Sequence, residues 1–411
     1  MTDTEDAIAI VGGGIGGLAC AMALARCGFA VRVFEQASEF HEIGAGIQLG
    51  PNMIRALDHL GLKDPVLADA WLPGNLLVRD ALDGSQINCI PVGDGFCTRF
   101  GQPYALTHRA DMLAVLLDGC RADSNVELLT DHRVAQIVDR RDGVQVSFEN
   151  GNICDAAAVI GADGLWSCVR NHVMADGPPH PVGHIAYRGV LRGEDVPPEL
   201  WSPDMTVWLG PRTHLVHYPL RRGALYNLVA VFHSDRYSEG YDEAGDVDEL
   251  WRHFGGEHAD VRALLERIDV WRFWVLCDRE PRRGWTKGRV TLLGDAAHPM
   301  LQYLAQGAAM AVEDALCLAA ELTRADGDPL LAFPRYENAR VLRTGRAQIM
   351  ARVYGDVFHA SGVARELRNQ WLLGRTPQQG WEGMAWLYDY DPTAQGSITS
   401  PRGPDHAAVI R

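Results

Sequence analysis

The hydrophobic pattern of the chain is of two kinds, and the first is an unbroken apolar run that stops at glycine. Residues 7–11 read Ala-Ile-Ala-Ile-Val and pass into Gly12-Gly13-Gly14-Ile15-Gly16-Gly17; residues 290–293 read Val-Thr-Leu-Leu and pass into Gly294-Asp295-Ala296-Ala297-His298-Pro299. Each predicts a strand that ends in a turn too tight for side chains. Residues 18–26 then predict a helix, residues 29–34 a strand ending at Glu35, and residues 156–160 a fully apolar strand ending in Gly161-Ala162-Asp163-Gly164. The second kind is alternation. Residues 76–106 alternate apolar and polar, with turn signals at Asp83-Gly84 and Gly93-Asp94-Gly95, and predict strands of a separate sheet. Short runs rich in Trp, Tyr, Val and Leu between 183 and 280, such as 205–209, 214–220 and 226–232, predict an antiparallel sheet that walls a pocket. Residues 126–149 predict strand, turn and strand. Helices are expected over 53–60, 107–120, 308–322 and 335–354, a flat Gly-rich loop over 42–52, and a polar, mobile tail from Thr393.

The first glycine turn carries chemistry. Gly12-x-Gly14-x-x-Gly17 stands between a strand and a helix, the context a dinucleotide fingerprint requires. Gly12 makes the turn, Gly14 lets backbone approach a pyrophosphate, and Gly17 lets helix and strand pack, while the helix N-terminus favours phosphate charge. Glu35, about 20 residues on, is placed to accept hydrogen bonds from a ribose. The fingerprint alone does not separate FAD from NAD. The second glycine-terminated strand, far along the chain, points to one long cofactor held at both ends, which favours FAD.

Composition narrows the class only a little. The 411 residues are 47% hydrophobic and 22% charged, enough for a large core, and the net charge of −15 argues against nucleic acid or an anionic membrane as partner. Nine cysteines, an odd number without a Cys-x-x-Cys pair, indicate neither a disulfide framework nor a zinc site, so no metal is expected and a reducing, cytoplasmic setting fits. The acidic N-terminus passes straight into an expected core strand, so neither a signal peptide nor a bilayer-spanning run is expected.

Three separated motifs resemble one family, the single-component flavoprotein aromatic hydroxylases typified by para-hydroxybenzoate hydroxylase. They are the glycine fingerprint with Glu35, the Asp-Gly motif over 161–170, and the Gly-Asp motif at Gly294-Asp295; the resemblance runs from about residue 6 to 390. It implies an α/β protein in which a Rossmann-like FAD-binding domain of glutathione-reductase type (1–75, 107–182 and 281–330) is interleaved with a mixed, largely antiparallel substrate domain (76–106 and 183–280), followed by C-terminal helices (331–392) and a tail (393–411). It implies FAD against Gly12, Gly14, Gly16, Gly17 and Glu35, with Asp295 on the ribityl chain and Gly307 and Ala308 beside the pyrimidine end of the flavin. It further implies Arg109 at the ribityl and phosphate region and Gln48 with the backbone of 44–46 as the ring cradle. Asp163 would serve FAD and nicotinamide, or merely cap the next helix. No second fingerprint is present, so NADH, or NADPH, would visit transiently, with O2 as co-substrate.

Within that family, the runs 210–220, 294–307 and 386–391 resemble the branch that hydroxylates 3-hydroxybenzoate to 2,5-dihydroxybenzoate through a flavin C4a-hydroperoxide. The resemblance makes His214 the base that removes the phenolic proton and Gln302 the second polar pocket residue. Tyr218, on the same strand face as His214, would bond the substrate carboxylate, and Arg188 is a further anchor for it; His217 points the opposite way. A salicylate or hydroxypyridine-carboxylate hydroxylase, or an FAD-dependent dehydrogenase without oxygen insertion, fits the same motifs. A homodimer is the expected assembly.

Overall fold

The computed structural model describes residues 7–41, 46–234 and 241–394. The Gly44-Ala45 part of the expected ring cradle, and the expected tail beyond residue 394, lie outside them.

The unbroken apolar runs form the centre of a six-stranded sheet in the order Thr286–Lys287, Val290–Leu292, Ala158–Gly161, Ile8–Val11, Val31–Phe34 and Val126–Leu129, parallel except at its first strand. Ile8–Val11 and Ala158–Gly161 are buried at every position because the sheet is covered on both faces, which is what continuous apolar strands require. Helices Ile15–Arg26, Arg109–Ala122 and Gly307–Arg324, with a three-stranded sheet made by Val134–Asp139, Val144–Phe148 and Ile153–Ala156, share its core.

The alternating segments form an eight-stranded sheet in the order Tyr241–Ala244, Arg272–Asp278, His180–Arg192, Leu225–His233, Thr213–Leu220, Met205–Gly210, Asn75–Asp80 and Gln86–Pro91. Its pairings are antiparallel except between Met205–Gly210 and Asn75–Asp80. One face packs on helices Val247–Phe254 and Ala259–Leu265. The other face, carrying Tyr218 and Leu220, is turned toward strand Ala105–His108 and the C-terminal helices.

Five segments differ from the sequence reading. Gly46–Leu49, expected as loop, is a strand paired antiparallel with Ala105–His108. Residues 94–100, expected as the end of a turn and a strand, form a helix, because Phe96 and Phe100 recur at a helical spacing and both pack on Tyr388. Val247–Phe254 and Ala259–Leu265 were not foreseen; Asp246 and His258 cap them with side-chain acceptors. The last long helix runs over Pro329–Phe358, beyond the expected 335–354, since Asp328 caps it and Pro329 occupies its first turn.

Candidate active site

The fingerprint turn is closed by backbone contact. Gly12 has φ +108°, and a Cβ added there would sit 2.4 Å from the Ala162 carbonyl oxygen; one added at Gly17 would sit 1.9 Å from the Gly12 oxygen. Gly14 begins helix Ile15–Arg26 with no side chain capping it, so the amides of its first turn are left for an anion. Glu35 accepts from the amides of Gly13 (2.8 Å) and Ala37 (2.9 Å), which fixes its carboxylate beside the turn. Gly16 meets only side chains, Ala311 and Leu293, each at 3.1 Å from an added Cβ.

Asp163 lies against Gly12, and both its oxygens are used at the start of helix Cys168–Met174. They accept from the Ser167 hydroxyl (2.5 Å) and from the amides of Cys168 (2.8 Å) and Val169 (3.1 Å), the capping arrangement. Burial pushes its pKa up against those bonds. Arg170, in the same motif, is 1% exposed. It pairs with Asp176 at 2.7 Å and donates to the carbonyls of Ala296 (2.8 Å) and Ala297 (2.7 Å), so it ties the Asp-Gly motif to the Gly294-Asp295 turn. Sequence reasoning passed over it although it ended the quoted motif.

Gly294 has φ +62°, and the exposed Asp295 side chain faces the start of helix Gly307–Arg324; a Cβ added at Gly307 would lie 3.6 Å from Asp295 Oδ1. That helix, like the first, has no side-chain cap, and Ala308 in its first turn is part-exposed. Arg109 opens helix Arg109–Ala122 directly after His108, which pairs with Gly46. Two uncapped helix starts, side-chain-free turns and an acid at each end fit a long dinucleotide such as FAD.

The substrate sheet meets this cradle at Gly46. Its amide donates to Asn227 Oδ1 at 2.9 Å, and a Cβ there would strike the Tyr218 ring, whose hydroxyl oxygen would be 2.6 Å away. Gln48, two residues on, accepts from the Tyr104 hydroxyl at 2.6 Å and also bonds Tyr218, whose own hydroxyl pKa is pushed up by burial. Arg188 donates to Gln302 Oε1 at 3.1 Å with its guanidinium 4.9 Å from the Trp274 ring. Arg188, Val229 and Val216 form one row across three strands. All three remain part-exposed in the middle of the sheet, as do Met300, Gln302 and Leu304 opposite, so open space lies between them.

His214 faces the same side at the end of that space. It is 2% exposed, its Nδ1 lies 2.8 Å from His359 Nε2, and its ring packs on Tyr303 and Phe358 at centroid distances of 5.4 Å. Burial, with His184 adding, holds its pKa down to about 3, so the imidazole is neutral. His217 is on the other face, where it accepts from Trp208 Nε1 (2.9 Å) and meets the Tyr226 hydroxyl (2.7 Å). Gln302 and Tyr303 are consecutive, one touching Arg188 and the other His214, so one turn brings Arg188, Gln302 and His214 together, while Tyr218 lies against Gly46 and Gln48. Asn227 and His359 were missed. A fully buried asparagine inside an apolar strand was a readable signal; His359, at the end of a long helix, offered none.

The fold and cradle define a flavin-binding protein in which a largely parallel sheet carries the glycine turns and a largely antiparallel sheet lies beside them. The pattern of the FAD binding domain family matches residues 5–328. Over 384 residues the chain is 43% identical to the 3-hydroxybenzoate 6-hydroxylase of Polaromonas naphthalenivorans, covering 93% of this chain and 96% of that protein. It is 42% identical over 381 residues to the enzyme of the same name from Klebsiella oxytoca, covering 93% and 96%. The solved structure of Klebsiella pneumoniae HpxO with FAD and uric acid superposes with a TM-score of 0.81 at 26% identity, covering 92% of this chain and 95% of that one. The chain therefore belongs to the FAD binding domain family, as a flavoprotein aromatic monooxygenase that uses FAD, reduced nicotinamide and O2. Among the described residues no helix is long and apolar enough to cross a membrane.

Proposed function

We propose that the chain hydroxylates 3-hydroxybenzoate at the carbon para to its hydroxyl, giving 2,5-dihydroxybenzoate, with NADH as the electron donor. The observation that carries this reading is a neutral, buried His214 at one end of an apolar row, Val216 and Val229, that continues to Arg188 and is faced by Gln302, with Tyr218 farther along the His214 strand. Hydroxylation needs an electron-rich ring, so the substrate must bind as phenolate; a phenol has a pKa of about 10 and needs a base at neutral pH. His214 Nδ1 is engaged by His359, and Nε2 makes no hydrogen bond among the described residues, so Nε2 takes the phenolic proton. The Tyr218 hydroxyl, with Arg188 behind it, receives the carboxylate. Gln302 accepts from Arg188 through its carbonyl oxygen and turns its amide N–H2 toward the bound species. FAD would be held by Glu35, Asp295 and the uncapped helix starts at Gly14 and Gln306, and would supply the activated oxygen.

The names of two relatives at 42–43% identity support the same substrate. The test is oxidation of NADH by the yellow protein across a panel of hydroxybenzoates, with products identified by mass and NMR. Gentisate formed in equal amount with NADH and O2 consumed is the expected outcome. Carbon dioxide release from salicylate, or NADH oxidation without an oxygenated product, would replace this reading.

A further inference from the structure

His214 does not stand alone: its Nδ1 is 2.8 Å from His359 Nε2, and His359 Nδ1 is 2.9 Å from His233 Nε2. The three rings come from strand Thr213–Leu220, the C-terminal cap of helix Pro329–Phe358 and the end of strand Leu225–His233, and exposure rises along them from 2% at His214 and 6% at His359 to the part-exposed His233. Resting on the reading of His214 as base, we propose that His359 and His233 are positioning residues of a proton relay that carries the substrate's phenolic proton from His214 to solvent.

The balance is simple. With Nδ1–H tautomers throughout, His214 Nε2 takes the phenol proton as its Nδ1 proton moves to His359 Nε2. The His359 Nδ1 proton moves to His233 Nε2, and the His233 Nδ1 proton goes to water. No bond other than N–H and O–H changes and no ring gains net charge. The product phenol needs a proton back, and the same wire run in reverse restores each tautomer.

The surroundings make a stored charge unfavourable. Among the described residues, His184 and Arg212 bear on His233, with His253 on the helix behind and Asp356 opposing them; His184 and Arg368 bear on His359; and the Tyr303 hydroxyl is engaged by His184 Nδ1 at 2.6 Å. An imidazolium in this row is opposed by burial and by two guanidiniums, so the proton passes on rather than rests. His184, His233 and His359 are also close enough to suggest a metal, with ring nitrogens within 4.8 Å. Spacings of 2.8 and 2.9 Å are those of hydrogen bonds, both His359 nitrogens are used by its neighbours, and Arg212 opposes a cation.

The test is stopped-flow mixing of FAD-loaded enzyme with 3-hydroxybenzoate, without reductant, following proton release with a pH indicator and substrate ionisation by its absorbance. His359→Gln and His233→Asn should keep the flavin spectrum and substrate affinity but slow proton release by roughly tenfold or more, and added imidazole should restore part of the rate in His233→Ala. Unchanged rates in both variants overturn the relay; if His359→Gln does not hold FAD, His233→Asn alone decides. His214→Ala separates the two claims. If it slows release while the relay variants do not, the base stands and the relay falls; if it too is without effect, the base reading itself is wrong.

Discussion

A buried imidazole held neutral by its surroundings is a base whose strength is set by what lies behind it. His214 should therefore be sensitive in a particular way. In His214→Ala, FAD binding is spared, because none of the cradle contacts involves it, and kcat falls by about 10²–10⁴-fold at neutral pH. The deficit shrinks as pH approaches the phenol pKa of about 10, where substrate ionises unaided. Paired pH profiles of kcat check this, and turnover equal to the parent protein at every pH removes His214 from the chemistry. The glycines allow an equally sharp contrast. A Cβ at Gly17 would lie 1.9 Å from a backbone oxygen of the turn, which cannot move without opening the fingerprint, whereas one at Gly16 meets Ala311 and Leu293 side chains at 3.1 Å. Gly17→Ala should yield colourless protein; Gly16→Ala should retain flavin within a few-fold of the parent affinity, read from the flavin absorbance after desalting.

Helices bring these residues into place, and what fixes the helices is a buried charge network. Arg340 is fully buried between Glu313 (2.8 Å) and Asp314 (2.6 Å), Asp314 also holds His298 at 2.5 Å, and Asn52 bridges Glu313 (2.8 Å) and Gln306 (2.9 Å) at the start of helix Gly307–Arg324. Arg340→Met leaves buried carboxylates without one partner and should cost about 3–5 kcal/mol in denaturant unfolding at constant FAD. A loss below about 1 kcal/mol would mean that Arg343, which pairs with Glu313 at 2.7 Å, suffices with His298 and Asn52. Little of this network was legible in the sequence. The strands that end at Gly12, Gly161 and Gly294 were legible because apolar runs and tight turns are local properties of the chain. The pairing of Gly46–Leu49 with Ala105–His108 was not, since a short strand is defined by its partner. Phe96 and Phe100 show the same limit: in a segment this short, two aromatics fit either period until Tyr388, nearly three hundred residues away, selects the helix. His214 was found through a family resemblance, but its partner His359 lies 145 residues on and becomes visible only when the sheet and the last long helix meet.

At the scale of the whole molecule, stability is pulled in opposite directions by groups on the two faces of the substrate sheet. On the cofactor side His214 and His233 have pKa values pushed down by burial, to about 3 and about 4, from the usual 6.5. As pH falls below 6.5 the unfolded chain takes up protons that the native state refuses, so stability is lost on the acid side. On the far side Glu257 has its carboxyl pushed up to about 8 by burial, with Asp80 adding and its hydrogen bond from Thr213 opposing. Between 4.5 and 8 the native state holds a proton that the unfolded chain has released, so this group costs stability progressively as pH rises through that window, and the full cost is present above 8. Glu257→Gln keeps an acceptor for Thr213 and removes the charge. Melting of the FAD-saturated protein should therefore show the variant gaining on the parent between pH 5 and pH 8.5, while the decline below pH 6 stays common to both. A difference between the two proteins that is the same at pH 5 and pH 8.5 would show that Glu257 does not change ionisation on folding, and that any alkaline loss of stability arises elsewhere in the chain.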